Sequence, residues 1–486
     1  MIPLMTSHPR WRNAVLVACL VASPVAAQDA PPPPPSCGNL APAVAGAHKG
    51  VFFANDFSYL GNPCLSRAAG RDALTRATDN LKRLPLGSGV RLDLGGEYRL
   101  RTHNENQFAS TRLAGGDNSF TLSRLRVYAN LEIGKHIRVY AEGLDARSFA
   151  EDWQPRPIEV DEVDLLNGFA EVRVGGPTQK GFARVGRQEL LLGAQRLISP
   201  LDWGNTRRSF DGVAGGYQAG ALRIDVFGVF PRTVRPHETN TRDDSQRFSG
   251  LYLSRGRPGT VLTDVYLLNL RETRGSVFDY DVWTAGARST GTLHTLTWEV
   301  EGGYQWGDHD QEGRQRAGFL SAVVGHGIPL PGRPKLEAGF DWAQGDDDSD
   351  DGTRQTFNQL FPLAHAYLGY MDLVARQNIL AVSVRASAQP TRKLSLQATG
   401  FDFRLDSETD ALYNAGGGAI RRDATGAAGN RVGRELDLMG KYLVTPRSDL
   451  VLGFSRFWGG RFVDATNPEG VSGDADFFYT QVSVRF

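Results

Sequence analysis

Two kinds of residue in this 486-residue chain could do chemistry, and their spacing separates them. The nine histidines are scattered, with no HExxH, no GxSxG followed by a suitable Asp and His, and no phosphate-binding glycine loop. His294 and His309 stand near turns with no nucleophile beside them. Arginines and carboxylates, in contrast, recur at every second position, as in Arg91, Asp93, Glu97, Arg99 and Arg101, or Arg124, Arg126 and Glu132. Such a pattern does not place an acid and a base around one bond. It lines a wall with both signs of charge, and a wall of that kind orders a polar solute in water. The chemistry expected is passage rather than catalysis, with no cofactor and no metal.

A period of two belongs to strands, whose successive side chains point to opposite faces. Between the charges stand Val90, Leu92, Leu94, Tyr98 and Leu100, and the same dyad recurs in "RLRVYANLEI", "LRIDVFGVF", "HTLTWEVEGGYQW" and "VGRELDLMGKY". About eighteen such segments start near residues 89, 120, 135, 165, 181, 210, 221, 246, 261, 281, 293, 314, 333, 378, 392, 432, 447 and 476. Each runs roughly ten residues, the length of a tilted membrane strand rather than the five or six usual in soluble sheets. A soluble sandwich would hide the apolar face, whereas an outer-membrane barrel turns it to lipid and keeps charge in a watery lumen. Connections alternate between tight turns such as "IGKHI", "STGTL" and "QPTRKL" and long loops, which predicts periplasmic turns on one side and outward loops on the other. The fold class is therefore all-β: a transmembrane antiparallel up-and-down barrel over residues 85–486. Its last strand, "FFYTQVSVRF", must close on the strand near Gly89, because lipid does not tolerate an open edge.

The rest of the chain fits an exported protein. Mean hydropathy is −0.33, too polar for a bundle of membrane helices. Residues 1–27 carry Arg10 and Arg12, an apolar core and a small-residue cleavage site, which is a secretory signal peptide. Losing it leaves a slightly acidic chain from a balance of 54 basic and 54 acidic residues, with no charge basis for binding nucleic acid. Cys37 and Cys64 then remain in an oxidising compartment, where one disulfide or two free thiols are both open readings. Residues 28–84 combine a proline-rich linker with apolar positions Leu65, Ala69, Ala73, Ala77 and Leu81 at helical spacing. This periplasmic extension is expected to cover the barrel rim, with a role as a plug the sharper alternative. The run "DDDSDD" lacks the glycine and distal glutamate of a calcium loop and reads as a solvated tip.

Several stretches, in order, carry a resemblance: "NDFSYL", "DNLKRLPLGSGVRLDLGGEYRLR", "VGRQELLLGAQRLISPLDWGNTRRSFDGV", "FDFRLDSETDALYN", "VGRELDLMGKY" and "FSRFWGGRFV". From about residue 55 onward the chain resembles the alginate-export family of outer-membrane barrels. The resemblance implies a monomeric eighteen-stranded barrel in the outer membrane of a Gram-negative cell, set in lipid and lipopolysaccharide. It further implies a narrow charged pore passing an anionic polysaccharide outward, and a terminal Phe486 read by the barrel-assembly machinery. Where the alginate pore carries arginines, this chain has Glu189, Asn167, Gly168, Val451 and Gly453. Guanidinium matches carboxylate in a bidentate fork, so these departures count against alginate itself.

The residues expected to line the pore are Arg99, Arg101, Arg124, Arg126, Arg138, Glu142, Arg187, Glu189, Arg196, Asp211, Glu435 and Asp437. Arg187 and Asp211 are expected to form a brace across neighbouring strands. The function expected is diffusion of a polysaccharide, oligosaccharide or other small polar solute. A structural barrel with a filled lumen and a barrel-borne hydrolase are the alternatives.

Overall fold

The computed structural model describes residues 40–65, 71–108, 115–176, 179–256, 259–275 and 279–486. The signal peptide, the proline run and Cys37 lie outside them. Eighteen antiparallel strands of nine to seventeen residues form one closed barrel. They are β1 (Val90–Asn106), β2 (Asn118–Ile133), β3 (Ile137–Phe149), β4 (Asp161–Gly175), β5 (Gln179–Gln188) and β6 (Phe210–Ala219). They continue with β7 (Leu222–Thr233), β8 (Gln246–Gly256), β9 (Val261–Glu272), β10 (Tyr280–Leu293), β11 (Leu296–His309) and β12 (Gly313–Gly327). The last are β13 (Lys335–Ala343), β14 (Ile379–Ala388), β15 (Leu394–Arg404), β16 (Arg431–Thr445), β17 (Ser448–Gly459) and β18 (Ala475–Arg485). Every strand begins within a few residues of its expected start. No helix among the described residues is long and apolar enough to cross a membrane, so the crossing is made by strands.

The dyad sorts as expected. Tyr98, Leu100, Val127 and Val482 are exposed on the outer face, while Glu97, Arg99, Arg101, Arg124 and Arg126 are buried on the inner one. Trp283 and Trp306 face each other across β10 and β11 near the outer ends of those strands, and both are exposed, as an interfacial girdle requires.

The seam joins β1 to β18 with Glu97 opposite Arg485 and Leu100 opposite Val482. Phe486 extends it by one residue, exchanging both backbone hydrogen bonds with Gly96. The two glycines beside the seam are there for space. A Cβ on Gly96 would meet the Phe486 ring, and one on Gly95 would meet the Lys82 ammonium, the Phe486 carbonyl and the Tyr128 hydroxyl. Lys82 uses that gap to donate to the Leu94 carbonyl, to Tyr128 Oη at 3.3 Å and to the Phe486 carbonyl oxygen at 3.2 Å. Burial pulls this ammonium down to about 8. Gly95→Val should expel Lys82 while leaving the strand pairing intact. Limited proteolysis should then cut residues 40–82 in a barrel whose heat-modifiability on gels is unchanged; a protected segment would contradict this account.

The extension departs from expectation. Its regular parts are short, α1 (Ala41–Ala45) and α2 (Ala73–Asp79), so the helix expected across 64–84 is confined to seven residues; residues 66–70 lie outside those described. Asp72 caps α2 by accepting from the Thr75 amide at 3.1 Å. The helix sits at the rim that carries the β16–β17 turn, where Arg447 binds Asp79 at 3.2 Å and Tyr59 Oη at 2.7 Å. The chain before it does not stay there. Residues 50–55 lie inside the barrel, packed on side chains of the β2, β3 and β4 walls. A hairpin strand, Leu84–Gly87, then leads into β1, so the wall starts at Val90. Cys64 is buried and disulfide-bonded.

Candidate functional site

Three segments outside the wall enter the lumen. From the periplasmic end comes residues 50–55: the Phe52 ring lies 3.7 Å from the Arg126 guanidinium, and Phe53 packs edge-on to Tyr140 and Phe169. Their backbone takes part too, since Arg207 donates to the Gly50 carbonyl at 2.9 Å and Arg138 to the Phe53 carbonyl at 2.6 Å. From the outer end come residues 189–209, after β5, and residues 344–378, after β13. These two loops bond to each other across the lumen through Ser199 N to Phe361 O, Phe361 N to Leu197 O and Leu363 N to Gln195 O, each 2.9 Å. Arg208 ties the same crossbar by donating to the carbonyls of Ser199 and Pro362, both at 3.3 Å. Burial lowers this guanidinium to about 10. Phe357, Leu368, Met371, Leu373 and Val374 of the second loop pack into an apolar core against the β7–β15 wall, so a large part of the lumen is solid.

Most of the twelve expected pore residues hold these insertions in place. Five belong to one network: Arg124 pairs with Glu97 at 2.8 Å and Asp202 at 3.0 Å, Arg207 with Asp202 and with Glu189 at 2.5 Å, and Arg126 with Glu142 at 2.6 Å and Glu189 at 3.7 Å. Arg99 completes it with hydrogen bonds to the carbonyls of Asp202 and Gly204. The surrounding protein opposes charge on Asp202, whose side chain is half exposed to the lumen, but Arg207, Arg124 and Arg99 together hold its carboxyl well below the usual range. Arg138 joins Arg173 and Arg184 around Glu171. Arg187 forks onto Asp211 at 2.8 and 3.2 Å. Arg196 binds Glu299 at 2.5 Å and Glu301 at 3.2 Å. Glu435 and Asp437 accept from the backbone amides of Met371 and Tyr370, each at 3.1 Å, and so cap the second inward loop. These are clamps before they are filters.

One sizeable cavity is lined, of the twelve, by Arg101 alone. That space, of about 930 Å³, lies at the outer end between β1, the loop 150–160, the crossbar and the loop 405–430. Arg101 donates to Gln481 Oε1 and to the Trp203 carbonyl, both at 2.9 Å, and its guanidinium stacks 3.7 Å from the Trp203 ring. His365 stacks on Trp203 at 3.6 Å and Tyr370 on His365 at 4.7 Å. His103, Trp203, His365 and Tyr370 were not among the expected residues. His103 was within reach, because it continues the inward series Glu97, Arg99, Arg101 by one more step of two. The others come from loops whose inward fold has no period to read.

Two of the positions that depart from an arginine-lined pore, Asn167 and Gly453, are explained by their neighbours. Asn167 donates from Nδ2 to both Glu142 and Glu189 at 3.0 Å and so joins two carboxylates without adding charge. A Cβ on Gly453 would collide with the Tyr479 ring, which lies over it. Among the described residues no group of three or more His, Cys, Asp or Glu is arranged to hold a metal ion.

The pattern of the family described as alginate export matches residues 90–473, every strand of the barrel but the last. The chain belongs to the alginate-export family. Three solved structures from Pseudomonas aeruginosa share the fold at low identity. OccD3 (OpdP) is 11% identical, covers 81% of this chain and 91% of its own, and has a TM-score of 0.53. OccK3 (OpdO) is 14% identical, with 81% and 96% covered and a TM-score of 0.52. OpdQ is 11% identical, with 81% and 97% covered and a TM-score of 0.53. No curated protein sequence matches the chain. The protein is an outer-membrane β-barrel of that family.

Proposed function

We propose that this alginate-export family member passes a small polar solute, of oligosaccharide size or below, by diffusion, and that residues 40–65 plug its periplasmic half in the state described. One observation carries the reading. The lumen is obstructed by segments outside the wall strands, so an aqueous path needs no break in the barrel. The crossbar and the capped second loop leave a chamber at the outer end rather than a straight bore, which suits a small solute better than a threaded polymer. In this reading the arginines and carboxylates position the insertions and give the remaining path its local field, and the chain works as a monomer in lipid and lipopolysaccharide. Phe486 serves as the assembly signal.

The test is conductance of the purified full chain in planar bilayers. Discrete, resolvable channels are expected, small in the intact protein. A second reading, a structural barrel, draws on the apolar core that the loop 344–378 builds inside the lumen. It predicts silence in the intact chain and equally after removal of residues 28–84.

A further inference from the structure

The outer cavity has a lining whose chemistry selects among solutes. Three cations face it, Arg101, Arg156 and Arg208, and three carboxylates, Glu105, Glu159 and Asp372, so with neutral histidines its formal charge cancels. The two signs are also interleaved. Arg156 binds Glu105 at 2.8 Å and Glu159 at 2.5 Å, Asp372 lies 3.4 Å from His365, and Arg101 and Arg208 bond to carbonyl and amide oxygens. A multiply charged anion entering here meets carboxylates as often as guanidiniums.

The unsatisfied groups are equally mixed. Neither ring nitrogen of His103 nor Oε2 of Glu105 has a hydrogen-bond partner, the nearest approach being His103 Nδ1 to Glu105 Oε1 at 3.6 Å, although His103 is only 4% and Glu105 only 3% exposed. Both residues line the cavity. One neutral imidazole offers one donor and one acceptor, and the carboxylate offers an acceptor. Buried polar atoms left unpaired carry a cost that a ligand able to pair them would remove. A hydroxyl both donates and accepts, which answers such a mixture.

The third feature is a platform. Trp153 lines the mouth of the cavity and is 42% exposed, yet it is held: its Nε1 donates to the Asp117 carbonyl at 2.9 Å. Gly116, at φ +92°, passes beneath the ring where a Cβ would come within 2.7 Å of it. A fixed indole with a free face takes the apolar face of a flat or ring-shaped ligand at little entropic cost.

We propose that the outer cavity is a binding site for an uncharged, hydroxyl-bearing ring, a neutral mono- or disaccharide, with its C–H face on Trp153 and its hydroxyls on His103 and Glu105. This rests on the channel reading above and names its solute class. At about 930 Å³ the space lies within the roughly 300–1,000 Å³ usual for small-molecule sites.

The test is tryptophan fluorescence of the full chain in detergent, titrated with maltose, with sucrose and with glucuronate, and it does not require conduction. Saturable quenching by a neutral disaccharide, with glucuronate weaker, is expected. Trp153→Ala should weaken it roughly tenfold, about the worth of one aromatic stack, and Trp153→Phe should restore most of the affinity. Glu105→Gln should raise glucuronate binding relative to maltose. Glucuronate binding as tightly as the neutral sugars would overturn the proposal, and so would a folded barrel that binds none of the three. A protein that binds maltose but never conducts would retain this site and refute the channel instead.

Discussion

Removing residues 40–65 should raise the conductance of the barrel several-fold. The segment fills the lumen beside β2, β3 and β4, where Phe52 covers Arg126, Phe53 covers Arg138 and Arg184, and two of its carbonyls take hydrogen bonds from Arg207 and Arg138. None of these contacts belongs to the wall, whose strands pair continuously from β1 through β18 without it. The insertion is thus an obstruction that the barrel can lose and stay closed at its seam. Arg447→Ala offers a milder route to the same end. That guanidinium, almost fully buried, holds Asp79 and Tyr59, and losing it leaves the buried carboxylate to Arg71 alone and frees the extension from the β16–β17 turn. The variant should open intermittently in bilayers, between the intact and truncated forms. If both variants conduct no better than the parent, the limiting obstruction is the crossbar and not the extension.

What the sequence could tell about this plug was limited by the kind of information that encodes it. Strand positions are written in a local period, and the lipid-facing series through Tyr98 and Leu100 locates β1 without reference to anything distant. A cross-strand brace such as Arg187 to Asp211 is nearly as local, because those residues are directly opposite on neighbouring strands. The contact between Arg124 and Asp202 is not local. Asp202 reaches the β2 wall only because residues 189–209 turn inward from the outer rim, and nothing periodic in "LLLGAQRLISPLDWGN" shows that turn. The same holds for residues 50–55, where a pair of phenylalanines reads as any short apolar stretch until the guanidiniums beneath them are known. Luminal charge was legible and its use was not: a row of arginines on an inward face is equally compatible with a free anion ladder and with clamps already engaged.

Glu189 is where those two readings make opposite predictions, and its substitution should have the largest effect on the barrel itself. It lies among Arg207 at 2.5 Å, Arg126 at 3.7 Å and Asn167, fully buried at the inner end of a loop that bears the crossbar. If the luminal charges were a free filter, Glu189→Arg would simply move the pore toward the arginine-lined type and favour anions. In the observed network it would put three guanidiniums together and release Arg207 to Asp202 alone. We expect failure of assembly, seen as loss of the heat-modifiable folded band. Glu189→Gln keeps the shape and removes the charge, leaving Arg207 to Asp202 and Arg126 to Glu142, and should cost about 1–3 kcal/mol in urea unfolding. Arg207→Gln should cost a similar amount. The double variant should lose clearly less than the two single losses combined, because the contact that each single variant breaks is the same one. Strict additivity would mean that the two residues do not act as a pair, and a well-folded, anion-selective Glu189→Arg barrel would mean that the network is a filter after all. The expected non-additivity carries a consequence for the family: an anion-lined pore of the alginate kind cannot be reached here by restoring one arginine, because the residue it would replace holds the inward loop to the wall.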